Sequence, residues 1–273
     1  MNNRLGLATV FHKASDFWKS STPELWQPLP EGGFFDAEID VDNEKNVCEL
    51  CAESEKVWHD LKAAGVIPSS FHLPFGNAWD VSAKDDAVRK KAIDELTKLL
   101  CWAGRHQINI AVLHPSFEPI DDSERSERLR LASDSIRTLS KSAAQYGVRI
   151  AVENLPRTCL GNCADEILVL TDFGKTASIC LDVNHLLKEK HADFIDKTGP
   201  YIITTHLSDY DFIDEKHWLP GDGMINWKEL KESLDKAGYD GRYLFELGDH
   251  NSLSLQRPYT PAELAERFRK LIK

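Results

Sequence analysis

Val148-Arg-Ile-Ala-Val-Glu153-Asn-Leu-Pro-Arg157 runs from apolar, β-forming residues straight into a carboxylate, and Asn154 and Pro156 then break the strand. A carboxyl group at the buried end of a strand is costly unless a metal ion or a proton-transfer role employs it. One such stretch is a weak signal, because many strand ends carry a solvated Glu. Its weight comes from repetition. An apolar run at residues 66–73 carries His72 near its end, and one at 108–113 is followed by His114. Runs at 177–182, 201–206 and 243–246 finish on Asp182, His206 and Glu246.

Outward from these runs, two more strands are expected at residues 5–10 and 34–39, which makes eight. Helices are expected from a cap at Asp42 or Asn43 to residue 64, from a cap at Ser82 to near Gly104, at 123–145 and at 164–170. Residues 186–197 are weakly helical. Asn226-Trp-Lys-Glu229 and Thr260-Pro261-Ala-Glu263 are capping-box starts for the last two helices. Gly65, Gly104, Gly147, Gly174, Gly199 and Gly238 stand where helices should stop. Strands such as 108–113 are apolar on both faces, as parallel strands buried between layers are. Eight β/α units in 273 residues point to an α/β protein with a single (β/α)8 barrel, one domain spanning residues 1–273. A doubly wound open sheet is the alternative, but no Gly-x-Gly-x-x-Gly follows the first strand.

The chain is 42% hydrophobic and carries a formal net charge of −11, which argues against a protein that grips a nucleic-acid backbone non-specifically. The N-terminal residues lack the apolar core of a signal peptide, and no stretch approaches the ~20 apolar residues of a membrane span. The six scattered cysteines suit reduced thiols, so a cytoplasmic location is expected. Cys48-Glu-Leu-Cys51 has zinc-like spacing, but it lies on an expected helix without a matching second pair. These two, like Cys159 and Cys163, read as half-buried structural thiols.

In a (β/α)8 barrel the C-terminal strand ends share one rim, and the chemistry sits there. His72, His114, Glu153, Asp182, His206 and Glu246 come one each from strands three to eight. His185, Asp209 and His217 lie just beyond strand ends. A lone strand-end His is usually a satisfied rim or core residue, but six ligand-type side chains at six successive strand ends are not coincidence. Imidazoles with carboxylates suit zinc, manganese, cobalt or iron better than magnesium alone. His59, His106 and His191 fall on expected helices or their ends and read as surface residues.

Glu153-Asn154, Asp182-x-x-His185, His206-Leu-Ser-Asp209, Gly221-Asp-Gly223 and Phe245-Glu246 resemble, in order and over essentially the whole chain, the markers of the xylose isomerase-like TIM-barrel superfamily. That superfamily holds sugar and sugar-phosphate isomerases and epimerases, inosose-processing enzymes and the endonuclease IV group. The ordered set is specific for the superfamily and not for the substrate. The resemblance implies a metal quartet at Glu153, Asp182, His206 and Glu246. It implies one divalent ion, zinc, manganese or cobalt with magnesium a weaker fit, and leaves room for a second or third. In the ketose 3-epimerase and isomerase branch the first and last Glu also act as acid and base, here Glu153 and Glu246. The Asp-x-x-His histidine of that branch, here His185, contacts substrate oxygens. Some epimerases carry an Arg four residues after the first Glu; Arg157 stands there, although the intervening Asn-Leu-Pro departs from their pattern.

The implied chemistry is coherent. Moving a carbonyl, or inverting the carbon beside it, removes a poorly acidic C–H proton. A divalent cation stabilises the resulting enediolate, one carboxylate takes the proton and a second returns it. Phe75, Trp79 and Trp218 lie in rim loops, where they can pack on the carbon face of a sugar. The expected partner is a small carbohydrate, free sugar and sugar phosphate being left open. A homodimer is compatible, and no membrane partner is expected.

Two rivals stand beside this reading. One is a small-molecule lyase or dehydratase of the same superfamily, of inosose type. The other is an endonuclease IV-like multi-zinc phosphodiesterase, whose additional histidines match His72, His114, His185 and His217. Where that family has an Asp, this chain has Glu215, with Asp214 one residue back. The acidic charge and the lack of an Arg-rich rim insertion argue against DNA. The reading carried forward is a metal-dependent sugar isomerase or epimerase in which His72 and His114 orient the substrate.

Overall fold

The computed structural model describes residues 4–12 and 21–273; Trp18, in the polar segment expected after the first strand, lies outside them. The strands are β1 (Leu5–Ala8), β2 (Phe34–Ile39), β3 (Ile67–His72), β4 (Ile110–Leu113), β5 (Arg149–Glu153), β6 (Ser178–Asp182), β7 (Ile202–His206) and β8 (Tyr243–Phe245). They form one parallel sheet in the order β7-β6-β5-β4-β3-β2-β1-β8. Between β7 and β8 the ladder shrinks to one parallel bridge, Leu207 to Phe245. There Leu207 N donates to Leu244 O at 2.8 Å and Glu246 N donates to Leu207 O at 3.2 Å. The result is a nearly closed (β/α)8 barrel, as expected, with its looser seam beside His206 and Glu246.

The connecting helices are α1 (Pro23–Trp26), α2 (Pro28–Gly32), α3 (Val47–Ala63), α4 (Asp86–Arg105), α5 (Asp122–Ala144), α6 (Ala164–Leu170), α7 (His191–Thr198), α8 (Trp227–Lys236) and α9 (Pro261–Leu271). Among the described residues none of them is long and apolar enough to cross a membrane. Strand alternation sorts side chains between two environments. Ile150, Val152, Ile179 and Leu181 join the large apolar layer under the helices, whereas Ala151 and Cys180 form a small inner cluster with Ile110 and Val112. Glu153 shares the parity of Ala151, and Asp182 that of Cys180. Both carboxylates therefore stand over this inner plug.

Several helix ends differ from expectation, each for a local reason. Asn46, not Asp42 or Asn43, caps α3 in a reciprocal capping box with Glu49. Asn43 instead braces the rim: its side chain accepts from Phe75 N at 2.9 Å and its carbonyl accepts from the Trp79 indole at 2.9 Å. Asp85 caps α4 in place of Ser82, because Ser82 is buried against Asp80 and Arg128. The weak helix expected at 186–197 is confined to α7. Gly65, Gly147, Gly174 and Gly238 do take left-handed φ between 71° and 79°. Gly104 lies inside the last turn of α4, where a Cβ would sit 2.5 Å from the Tyr146 carbonyl oxygen; Gln107, at φ 60°, makes the turn instead. His191 is not a surface residue: it is buried, its Nε2 2.8 Å from the Val183 carbonyl. His106 is also partly covered, pairing with Glu55 at 2.8 Å, and His59 alone of the three is largely exposed.

Candidate active site at the C-terminal rim

β3, β5, β6 and β7 end on His72, Glu153, Asp182 and His206, and β4 and β8 are followed at once by His114 and Glu246. The ends of β5 and β6 are welded by one side chain. Asn154 Nδ2 donates to Asp182 O at 2.8 Å, and its Oδ1 accepts from Asp182 N at 2.9 Å. That exchange fixes the two carboxylates relative to each other and gives the Glu153-Asn154 pair a physical reason.

Glu153 is the hub. Its Oε2 lies 3.3 Å from His72 Nε2 and 3.2 Å from His114 Nε2, and its Oε1 lies 3.3 Å from His185 Nδ1 and 3.4 Å from His206 Nδ1. Asp182 Oδ2 is 3.3 Å from His185 Nδ1, while His206 Nδ1 is 3.2 Å from Glu246 Oε2. Glu153, Asp182, His206 and Glu246 each offer one ligand atom within 4.8 Å of the others, and His72, His114 and Glu153 form a second such group. Asp182 Oδ2 and His206 Nδ1 are buried without a hydrogen-bond partner among the described residues. With Glu153 and Glu246 beside these two orphaned atoms, the set of three carboxylates and an imidazole fits a divalent cation.

The charges compensate one another. Burial pushes Glu153 up, but His206 and His114 outweigh it and hold the carboxyl well below its usual range. Glu246, also raised by burial, is brought below its usual value chiefly by His206. Burial pushes His185 and His72 down, yet Asp182 and Glu153 lift His185 to about 10, and Glu153 lifts His72 to about 9. Asp182 is pushed up to about 7 by burial, and His114 is lowered by burial. Protons on the imidazoles thus neutralise a site built from carboxylates, and a cation can take their place.

A cavity of about 250 Å³ opens over the cluster, with Glu153, Glu246, His114, His185 and His217 in its wall. Phe75 lies flat on His114, with ring centroids 4.2 Å apart and planes 19° apart. His217, at φ 50°, sets its Nδ1 3.1 Å from the Glu246 carbonyl. Arg157 is at the mouth, spoken for on every side. Its Nε and Nη2 donate to Glu118 Oε1 at 2.8 and 2.6 Å, and its Nη1 lies 2.7 Å from Asp214 and 3.2 Å from Glu215. Glu215 Oε2 also stands 3.5 Å from His185 Nε2. Trp79 is nearly buried behind Asn43 rather than in the cavity wall. Asp209 is not part of the donor cluster. It accepts from Gly221 N at 2.7 Å, Ile225 N at 3.1 Å and the Trp227 indole at 3.0 Å, which pins the 221–223 turn.

A family model described as xylose isomerase-like TIM barrel matches residues 34–271. The chain belongs to that family. An uncharacterised protein of Methanocaldococcus jannaschii is 28% identical over 218 residues, covering 75% of this chain and 74% of that one. Fructoselysine 3-epimerase of Escherichia coli O157:H7 is 21% identical over 256 residues, 84% of this chain and 92% of its own. The crystal structure of a D-tagatose 3-epimerase-like protein superposes with a TM-score of 0.77 at 20% identity, over 98% of both chains.

Sequence reasoning missed Glu38 and Glu118. Glu38, near the end of β2, is fully buried, and its Oε1 is 2.7 Å from His206 Nε2. Its signal was the alternation Asp36, Glu38, Asp40 on one face of an otherwise apolar strand. Glu118 carries no such signal, because its partner Arg157 is thirty-nine residues away.

Proposed function

We propose that this protein is a divalent-metal-dependent sugar isomerase or epimerase in which Glu153 and Glu246 exchange a proton with the carbon beside a carbonyl. One observation carries the reading: four donors, Glu153, Asp182, His206 and Glu246, converge within 4.8 Å, and both Glu of that set line the cavity. Glu153, Asp182, His206 and Glu246 would hold the cation. When bound, it supplies positive charge beside the carbonyl and neighbouring hydroxyl oxygens of the substrate.

The protein's own groups do the rest. One Glu takes the proton from the substrate carbon and the other returns one, from the opposite face for epimerisation. His185 and His114, in the cavity wall, present N–H groups to substrate hydroxyls, while Phe75 offers an apolar surface. The cavity is small beside ordinary ligand pockets of roughly 300–1,000 Å³, which suits a single sugar ring or open-chain ketose. The names of the relatives, fructoselysine 3-epimerase among them, agree with this class.

A second reading has one observation in its favour. His72 and His114 both direct Nε2 at the same oxygen of Glu153, so a second cation can share that carboxylate, as in a multi-zinc phosphodiesterase. Metal analysis of protein purified without chelator separates the two. About one equivalent of divalent metal, with ketose-dependent incorporation of deuterium from D2O at carbon, is the expected result. Near three equivalents of zinc with cleavage of abasic-site DNA would replace the epimerase reading.

A further inference from the structure

Glu38 has no role in the chemistry described so far, yet it is among the least accessible charged groups of the chain. Among the described residues, neither of its carboxylate oxygens has a hydrogen-bond partner, an arrangement that costs free energy unless something uses the charge. Its neighbours in register on β1 and β3 are Ala8 and Ser70, whose small side chains leave Glu38 free to reach across the barrel interior. It ends 2.7 Å from His206 Nε2, off the line of a hydrogen bond. The other nitrogen of the same ring, Nδ1, faces Glu246 Oε2 at 3.2 Å, Glu153 Oε1 at 3.4 Å and Asp182 Oδ2 at 4.0 Å. One imidazole thus lies between a buried anion and the donor cluster.

We propose that Glu38 is a positioning residue: it holds the His206 proton on Nε2 and so presents an unprotonated Nδ1 as the nitrogen that binds the divalent cation. The inference rests on the metal-dependent reading above. A ligating His needs one nitrogen free, and the partner of its other N–H decides which one. Among the described residues, no other carboxylate forms an ion pair with His206 Nε2, whereas three surround Nδ1. Without Glu38 the proton has every reason to move to Nδ1, beside those three acids, and the ring then repels the cation.

The test titrates metal-stripped wild type, Glu38→Gln and Glu38→Ala with Mn²⁺ and with Zn²⁺ in a calorimeter, with urea unfolding as a control for folding. Loss of a partner of this kind typically lowers metal affinity about 10–100-fold; that loss is expected for Ala, and a smaller one for Gln, whose carbonyl oxygen can still accept a hydrogen bond from the Nε2–H. In ¹⁵N-labelled, zinc-loaded wild type, the His206 ring should give a protonated Nε2 and a metal-shifted Nδ1. If Glu38→Ala does not fold, Glu38→Gln and the nitrogen shifts decide the matter alone. A folded variant with wild-type affinity, or zinc on Nε2, would overturn the role of Glu38 while leaving the metal reading intact. A wild type that binds neither ion would sink both.

Discussion

The floor of the cavity and its mouth use the same chemistry under opposite conditions. At the floor, His206, Asp182 and Glu38 are 0% exposed and Glu153 is 1%, and the imidazole–carboxylate distances are mostly 3.2–3.4 Å, with several atoms lacking any hydrogen bond. At the mouth, Arg157 is 36% exposed and makes short hydrogen bonds to Glu118 and Asp214. The mouth is a finished set of ion pairs that water screens. The floor is an unfinished one, charges gathered at a cost and left facing one point. A fold tolerates such a cluster when a ligand completes it, and under the proposed function this difference makes the floor the seat of chemistry and the mouth its frame.

The sharpest way to break the comparison is to neutralise the floor. Glu153→Gln and Glu246→Gln keep the side-chain shape, so far-ultraviolet circular dichroism should change little. Turnover should fall by about 10²–10⁴-fold in each, the usual contribution of a positioned acid or base. Near-full activity in either variant on the true substrate would remove the two-carboxylate mechanism. Asp182→Ala or His206→Ala should instead lower the metal content of purified protein, and unchanged stoichiometry would take the residue out of the donor set.

Next in size is a pH effect confined to the metal-free protein. His72 and His185 have folded-state values lifted to about 9 and about 10, above the unfolded value near 6.5. Groups raised in this way contribute stability that is fully present below about pH 6.5 and lost as pH climbs through 9 and 10. Urea midpoints of metal-stripped protein should therefore fall between pH 6.5 and 10. A saturating divalent cation, standing where those protons stood, should flatten the slope or reverse it. Identical slopes with and without metal would mean that the cation and the protons do not compete for the floor.

Much of this arrangement is legible in the sequence because barrel topology converts strand ends into neighbours. His72, Glu153, Asp182 and His206 are recognisable one by one, and the fold brings them together. Glu38 is not legible in the same way. The alternation Asp36, Glu38, Asp40 marks one charged face of β2 but says nothing about a partner on the far side of the barrel. The clamp on Arg157 was equally hidden, since its partners come from loops that no local pattern connects. Trp79 and His191 went astray through the reverse error: a polar edge on each ring found a backbone carbonyl, and the rest of the ring was buried.

Arg157 tests the mouth side of the comparison. Its three partners are between 27% and 47% exposed, so their ion pairs are screened. Arg157→Ala should cost about 0–1 kcal/mol of stability by urea unfolding. It should still alter function, because the guanidinium ties together the loops that carry Glu118, Asp214 and Glu215, and Glu215 reaches His185 in the cavity wall. Releasing those loops leaves the carboxylates proposed to transfer the proton where they are but loosens the frame around the substrate, so KM should rise more than kcat falls. A loss of stability well above 1 kcal/mol would show that the mouth is not a screened set of surface ion pairs, and the contrast between the two would fail. A collapse of kcat with KM unchanged would place Arg157 at the reacting atoms instead of at the frame.

The smallest expected effect lies outside both regions. Cys48 is exposed and Cys51 half-buried on α3, with no disulfide, and burial pushes the Cys51 thiol up, away from the thiolate that metal binding needs. Neither belongs to a group of donors close enough to hold an ion among the described residues. Their zinc-like spacing is only the i, i+3 repeat of a helix, which sets two side chains on one face without supplying a third and fourth ligand. Replacing both with Ala should leave metal content and turnover unchanged. Loss of an equivalent of zinc would relocate a metal site to this helix, and the claim that the barrel floor alone is built to be completed by a cation would have to be given up.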